Sequence, residues 1–574
     1  MPSLEGFRHR LSSADALPQL AILAVAAGFL TGLVILVFRT TMDLVLSHLL
    51  LESHPEDFES LSLFGRMALP GCAGLLLGVL FFRLPPESLR AGVTHVLERL
   101  SRHQGRMPLI NALTQFVGGL IALIGGISGG REGPAVHLGA ASASLMGEAF
   151  RLPNNALRIL IACGTAAAIA GSFNTPMAGV IFAMEVVMME YTIGSFIPVI
   201  LAAVTATLMT HYFFGPEPAF EVAPLHLATL LEIPYVILCG AVIGVLAAAY
   251  IHLVQLFARL HAWRFLSRAL LAGAITGTAA LAAPEVMGVG YDTVNAAMAG
   301  ELALLTLAAV VILKCISSAA AVGLGLPVGV IGPTFVIGAA VGGLMGMLGS
   351  AVHDGLTAST GFYVMLGMAA MMAAVLQAPL AALMAVLELT ANPNIILPAM
   401  LIIVVATMMT AVPLKQRSVF LSTLSTLGLD YPPNPVRAHL QRAGVSSIMN
   451  RSFVRLPGVC SRDQARQALT ARPRWIVVES EKSGARAVLG AGDLKAFLDD
   501  SNAEAGDVRL MEIPARRRDV AEIDYLATID EAQRALDSPE VEALCVCRTS
   551  GPMLAPLRGV IIQDDIDNYR ESAS

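Results

Sequence analysis

The sequence predicts an all-α, polytopic membrane protein built from two inverted repeats with broken helices, followed by a soluble α/β tail. Three observations carry that reading. Charged residues are only 14% of the 574, where soluble chains carry about 25%, and the mean hydropathy is +0.69. Apolar stretches of membrane-spanning length recur as far as residue 412 and then stop. Two short motifs of the first half return, in the same order, in the second.

Crossing the hydrocarbon core takes about 20 apolar residues. Stretches of that order run near 17–47, 67–82, 109–127, 193–213, 233–260, 268–283, 302–322, 357–376 and 394–412. Shorter ones, near 133–150, 157–170, 176–189, 331–349 and 379–391, are interrupted by Gly, Pro or a charge. Short, broken segments are how transporters unwind helices around a buried site. At the start, Arg8, His9 and Arg10 precede an apolar run from Leu17 to Phe38 with no small-residue cleavage pattern after it. It reads as a retained first membrane helix, not a signal peptide.

Loop charge sets orientation. Residues 48–63 carry Glu52, Glu56, Asp57 and Glu59, whereas the loop 97–106 carries Arg99, Arg102 and Arg106. The basic loop and both termini are therefore expected in the cytoplasm of an inner-membrane, multi-pass protein. Charge returns from Lys415 onward, and Pro432, Pro433 and Pro435 read as a linker. The expected domains are 1–430 in the membrane, with repeat halves near 64–215 and 268–428, a linker at 431–444 and a soluble domain at 445–574. Residues 475–479 and 543–547 read as strands, the second placing Cys545 and Cys547 in alternation.

The repeat is visible in the residues. Gly130-Arg131-Glu132-Gly133-Pro134, then Gly139-Ala140-Ala141, is matched by Gly329-Val330-Ile331-Gly332-Pro333, then Gly338-Ala339-Ala340. Pro176 with Glu185 is matched by Pro379 with Glu388. Inverted halves would bring these broken helices together at the membrane midplane.

Gly125 to Gly130 let the backbone unwind, and Pro134 suits a first helical turn. A helix beginning near Gly133 presents bare N–H groups and the positive end of its dipole, an anion site without a fixed cation. Val330, Ile331, Gly332 and Pro333 repeat the arrangement. Chloride suits such a site, because conduction needs binding that is favourable but escapable. Glu132 beside it is an intramembrane carboxylate, a functional candidate by default. Ionised, it competes for the anion site; protonated, it swings away. The alternative is a Glu132–Arg131 or capping pair with no gating role. Glu185 and Glu388 are expected to hydrogen-bond helix termini, Lys314 to snorkel or pair with a carboxylate, and His137 to be packed.

Gly130-Arg131-Glu132-Gly133-Pro134 matches the GREGP signature of the CLC chloride channel/transporter family, and Gly329 to Pro333 resembles its GIFxP signature. With Phe173 to Gly179, the similarity covers roughly residues 15–428. The resemblance implies a homodimer with one anion pathway per subunit, Glu132 as gating glutamate, and backbone N–H groups of Val330 and Ile331 on the anion. Three positions depart from the family. Its serine loop falls on Arg90-Ala91-Gly92-Val93-Thr94, with Ala91 for the serine. Its central tyrosine falls on Phe420. Its internal proton-receiving glutamate falls on Val186, as is common in channels. Glu190, one turn beyond on the same helix face, is a candidate substitute.

The tail resembles tandem CBS motifs. Ser461 with Asp463, Thr528 with Asp530, and the late Asp565 are the positions that contact adenine nucleotide in that family. A dimerisation module without ligand is the alternative.

These readings converge on glutamate-gated transport of chloride, leaning to passive conduction because Ala91, Phe420 and Val186 loosen the inner path. Chloride/proton antiport is the alternative, and a fluoride-selective relative or a nucleotide-sensing membrane protein follow. No nucleophile–base arrangement, Walker loop or metal cluster supports an enzyme, no cofactor is expected, and a net charge of -6 gives nucleic-acid binding no footing.

Overall fold

Helix boundaries follow proline, glycine and capping hydroxyls. The computed structural model describes residues 4–12, 16–50, 58–217, 220, 227–352, 358–429, 439–479, 485–499, 506–547 and 557–572. The linker prolines and most of the acidic loop (Glu52, Glu56 and Asp57) lie outside them. The chain divides into two units, Leu20–Phe150 with Leu157–Pro432, and Met1–Gln19 with Arg151–Ala156 and Pro433–Ser574.

The first unit is helical. Its order is α2 (Leu17–Leu50), α3 (Leu63–Leu80), α4 (Gly92–Arg102), α5 (Leu109–Ile124), α6 (Glu132–Ala149), α7 (Asn154–Phe173), α8 (Pro176–Phe182), α9 (Ile193–Phe214), α10 (Ile233–Ala258), α11 (Phe265–Ala282), α12 (Tyr291–Ala299), α13 (Leu304–Gly323), α14 (Ile331–Val352), α15 (Thr360–Leu376), α16 (Pro379–Thr390), α17 (Ile396–Ala411) and α18 (Val419–Thr426), while α1 (Leu4–Leu11) belongs to the second unit. Among the described residues nine helices are long and apolar enough to cross a membrane. The expected basic loop at 97–106 is corrected: Arg99 and Arg102 stand in the last turn of α4, where cations meet the negative end of the helix dipole.

Duplication extends to the backbone. Left-handed residues stop equivalent helices in the two halves: Gly126 (φ 67°) and Gly325 (φ 78°), Asn174 (φ 59°) and Gln377 (φ 53°), Met189 (φ 55°) and Ala391 (φ 49°). Packing is duplicated too. α6 crosses α7 at Gly139 and Gly164, and α14 crosses α15 at Gly338 and Gly367; a Cβ on any of the four would collide with its partner's carbonyl oxygen. Close backbone approach through small residues is how helices associate in lipid.

Glu185 and Glu388 do what their positions suggest. Glu388 accepts from the Met177 and Ala178 amides at 2.9 and 2.8 Å, at the start of α8. Glu185 accepts from the Leu380 and Ala381 amides at 3.3 and 2.8 Å, at the start of α16. Each half thus caps a helix of the other, satisfying amides that lipid cannot.

The second unit holds a six-stranded sheet of order β1-β3-β4-β6-β7-β8. β1 (Phe453–Pro457) pairs parallel with β3 (Trp475–Glu479), joined by β2 (Val459–Cys460) and α19 (Arg462–Thr470). β4 (Ala485–Gly490) returns antiparallel to β3, followed by α20 (Ala491–Asp499) and β5 (Val508–Arg509). The pattern then repeats: β6 (Arg517–Asp524), α21 (Ile529–Leu536), parallel β7 (Ala543–Cys547), antiparallel β8 (Leu557–Ile562) and α22 (Gln563–Ser572). Both expected strands form, and Cys545 and Cys547 are buried thiols on β7.

Candidate anion-binding site

Gly130 and Gly329, 199 positions apart, form an antiparallel bridge. The Gly130 amide donates to the Gly329 carbonyl at 2.9 Å, and the Gly329 amide to the Gly130 carbonyl at 2.7 Å. The two signature segments therefore meet running in opposite directions, as an inverted repeat requires. α6 and α14 start immediately beyond the bridge, at Glu132 and Ile331.

Glu132 is 1% exposed. Its Oε1 accepts a hydrogen bond from the Ile331 amide, an N–H that helix geometry leaves free. A side chain at Gly130 or Gly329 would overlap the Glu132 carboxyl, and one at Gly133 would press on the Val328 carbonyl. Gly332 packs against the Gly130 backbone. The glycines thus make room for a buried carboxylate at a helix start.

Glu132 also lines a cavity with Ala91, Gly92, Gly133, Val330 and Phe420. These residues come from four separate segments, and the structure gathers them. Thr94, His95, Glu98, His261, Val328 and Thr423 are also part of the wall. Ala91 and Phe420 leave two places on it without a hydroxyl. Gly92, at φ 66°, turns the chain into α4 and donates its amide to Gln115 Oε1 at 2.8 Å.

Gln115 was not singled out from the sequence. It is 1% exposed, and its Nε2 donates to the Pro327 carbonyl at 3.2 Å, so it ties two walls together. Asn111 holds the Glu87 and Arg90 carbonyls at 2.8 and 3.2 Å, and Thr114 holds Ser88 at 2.9 Å. Asn111, Thr114 and Gln115 at i, i+3 and i+4 of an apolar run form a polar stripe on one helix face, and that spacing was the available signal.

Arg131 does not serve Glu132 as an ion-pair partner in this arrangement. Its guanidinium lies over the Phe173 and Tyr291 rings, 5.0 and 5.3 Å from their centroids. Val186 is buried on a π-helical turn, Ala183–Met188. The expectation that Glu190 shares its helix face is corrected: left-handed Met189 ends the turn, and Glu190 lies past it. Lys314 does not snorkel. It is fully buried and donates to the Val286, Met287 and Gly288 carbonyls at 3.0, 3.3 and 3.0 Å. His137 is buried and bonded to His95.

In the tail, Ser461 and Thr528 both cap helices in reciprocal capping boxes with Gln464 and Glu531. Asp463 is exposed in the first turn of α19. Asp530, 4% exposed, accepts from Gln441 and Arg534 at 3.0 Å each. Asp565 accepts from the Ile562 amide at 3.0 Å, and burial holds its carboxyl above the ordinary aspartate range.

A duplicated bundle whose broken helices meet at a buried carboxylate defines a multi-pass membrane protein with a site between its repeats. Residues 73–411 match the family described as voltage gated chloride channel, and the chain belongs to that family, the CLC proteins. It is 31% identical over 346 residues to a putative chloride channel protein, ClcB-like, of Ralstonia nicotianae, covering 59% of this chain and 80% of that one. It is 27% identical over 395 residues to the H(+)/Cl(-) exchange transporter ClcA of Yersinia pestis bv. Antiqua, covering 66% and 81%. A crystal structure of a eukaryotic CLC transporter shares the fold, at 18% identity and a TM-score of 0.57, covering 96% of this chain and 99% of that one.

Proposed function

We propose that this protein exchanges chloride for protons across the membrane, with Glu132 as both gate and proton carrier. One observation carries the reading: the buried Glu132 carboxylate accepts the Ile331 amide hydrogen at the α14 start, in the wall of the cavity it shares with Ala91, Gly92, Val330 and Phe420. A negatively charged oxygen on a free helix-start amide stands where a small anion would bind. Protonation removes that charge, frees the amide and admits the anion, so the two are exclusive. The exchanger name of the ClcA relative supports this over the passive lean of the sequence. Gly130, Arg131, Gly133 and Gly332 shape the approach.

Passive conduction is the second reading, favoured by Val186, which offers no proton on its turn. Proteoliposomes with an outward chloride gradient and an external pH electrode separate the two. Proton uptake against its own gradient, driven by chloride efflux, supports exchange, and chloride efflux with no proton movement overturns it. Replacing chloride by fluoride in the same assay tests the anion.

The protein is further proposed to be a homodimer in the cell inner membrane, with both termini cytoplasmic. Its tail is proposed to be a CBS pair acting as a folding or dimerisation module. Supporting this, the Ser461 and Thr528 hydroxyls and the Asp530 carboxylate are spent on internal bonds. A thermal shift on adding AMP or ATP would instead support a nucleotide site.

A further inference from the structure

We propose that Lys314 is a fixed counter-charge for the anion that occupies the site between the helix starts. The proposal deepens the reading above and rests on anion binding there, which exchange and conduction share. Gln115 on α5 and Lys314 on α13 stand 199 positions apart, the separation of Gly130 and Gly329, so they hold the same place in the two halves. α4 and α12 begin at that separation too, at Gly92 and Tyr291.

Each residue braces the signature segment of the other half. Gln115 accepts from the Gly92 amide and donates to the carbonyl of Pro327, just ahead of Gly329. Lys314 donates to the Val286, Met287 and Gly288 carbonyls. The Gly288 carbonyl also accepts from the Gly129 amide at 3.3 Å, and the Gly288 amide donates to the Gly126 carbonyl at 3.1 Å. One oxygen therefore joins the Lys314 side chain to the residue before Gly130. A Cβ on Gly290 would stand 3.2 Å from both Lys314 Nζ and Val336 Cγ2 of α14. Lys314 Nζ thus lies beside the second turn of α14, the helix whose first amide holds the Glu132 carboxyl.

Bracing alone does not call for a charge. Gln115 shows that a neutral amide holds such a segment, and burying an ammonium costs far more than burying an amide. Lys314 is nevertheless fully buried. Its three carbonyl acceptors take three N–H groups, which the ammonium has and the neutral amine lacks. An intramembrane cation bonded to backbone carbonyls marks an ion pathway by default. Set one layer behind the helix-start amides, this charge draws an anion to the start of α14 without touching it, so binding stays escapable. It acts in the same way on the ionised Glu132 carboxylate when that group holds the Ile331 amide. Arg131, the other cation beside the bridge, lies over the Phe173 and Tyr291 rings.

The test measures flux against chloride concentration in proteoliposomes of the full-length wild type, K314Q and K314R. Glutamine keeps a donor at 314, as the protein itself does at 115, and removes the charge; arginine keeps the charge. Loss of a unit charge this close is expected to raise half-saturating chloride at least threefold in K314Q, by more than the maximal rate falls. K314R is expected to bring it back toward the wild-type value. An unchanged half-saturation in K314Q, or a K314R as weak as K314Q, overturns the counter-charge. Should K314Q fail to elute as a single species in detergent, K314M is measured in the same way. Failure of both to fold assigns Lys314 to folding and overturns the proposal. A wild type that moves chloride but no protons overturns exchange and leaves Lys314 in place; one that moves no chloride overturns both.

Discussion

Gly130 and Gly329 exchange both of their backbone hydrogen bonds, at 2.9 and 2.7 Å. That bridge joins two segments 199 positions apart and sets the two helix starts side by side. A Cβ on either would overlap the Glu132 carboxyl, and one on Gly329 would also run into the Gly133 backbone amide, which cannot swing aside. G329A is therefore expected to disrupt the bridge at the anion pathway and to lower chloride flux at least tenfold in proteoliposomes. A variant with wild-type flux would show that the bridge tolerates bulk.

E132Q removes the charge but keeps the shape. Exchange predicts that it abolishes proton movement and the pH dependence of flux, while chloride still moves. The sign follows from the geometry: the ionised carboxylate holds the Ile331 amide, so wild-type opening should rise as pH falls. E132Q should behave at every pH as the wild type does at low pH. The check is chloride flux measured between pH 5 and 8.

Ala91 and Phe420 line the cavity without hydroxyls. A hydroxyl given to a charged partner contributes about 1.5–3 kcal/mol, which corresponds to roughly tenfold or more in affinity. F420Y and A91S are each expected to tighten chloride binding by about that factor, read by calorimetric titration. Unchanged affinity in both would place the anion away from these residues.

The reciprocal caps are equivalent, so their losses should match. E185A and E388A each leave two helix-start amides without their partner. Each is expected to cost about 1.5–3 kcal/mol, read as thermal unfolding in detergent. A large loss in one and none in the other would break the equivalence.

In the tail, T528A and S461A remove capping hydroxyls. Each should cost about 1 kcal/mol, read from urea unfolding of the full chain followed by Trp475 fluorescence.

Much of this was legible from one-dimensional signals. The two Gly-x-x-Gly-Pro segments, the prolines at 176 and 379 and the glutamates at 185 and 388 showed duplication, because each marks a helix start or stop. What escaped depended on neighbours distant in sequence. Gln115 looks like one polar residue in an apolar run, and its two bonds, to Gly92 and Pro327, exist only after folding. Lys314 is expected from sequence to snorkel or to pair with a carboxylate; it does not snorkel, because it is buried against the Val286, Met287 and Gly288 carbonyls. Glu190 was placed on Val186's face by ideal helix spacing, which the π turn and left-handed Met189 interrupt.

The sequence alone determined that the chain lives in lipid, that its halves are related, and that glycine-broken helix starts flank a single buried acid. These follow from hydropathy, repetition and backbone freedom, which are local properties of residues. Only the tertiary structure decided which amide the acid holds, that Arg131 turns to aromatic rings, and that His95 meets His137. Those choices depend on which surfaces the crossing helices bring within hydrogen-bond distance.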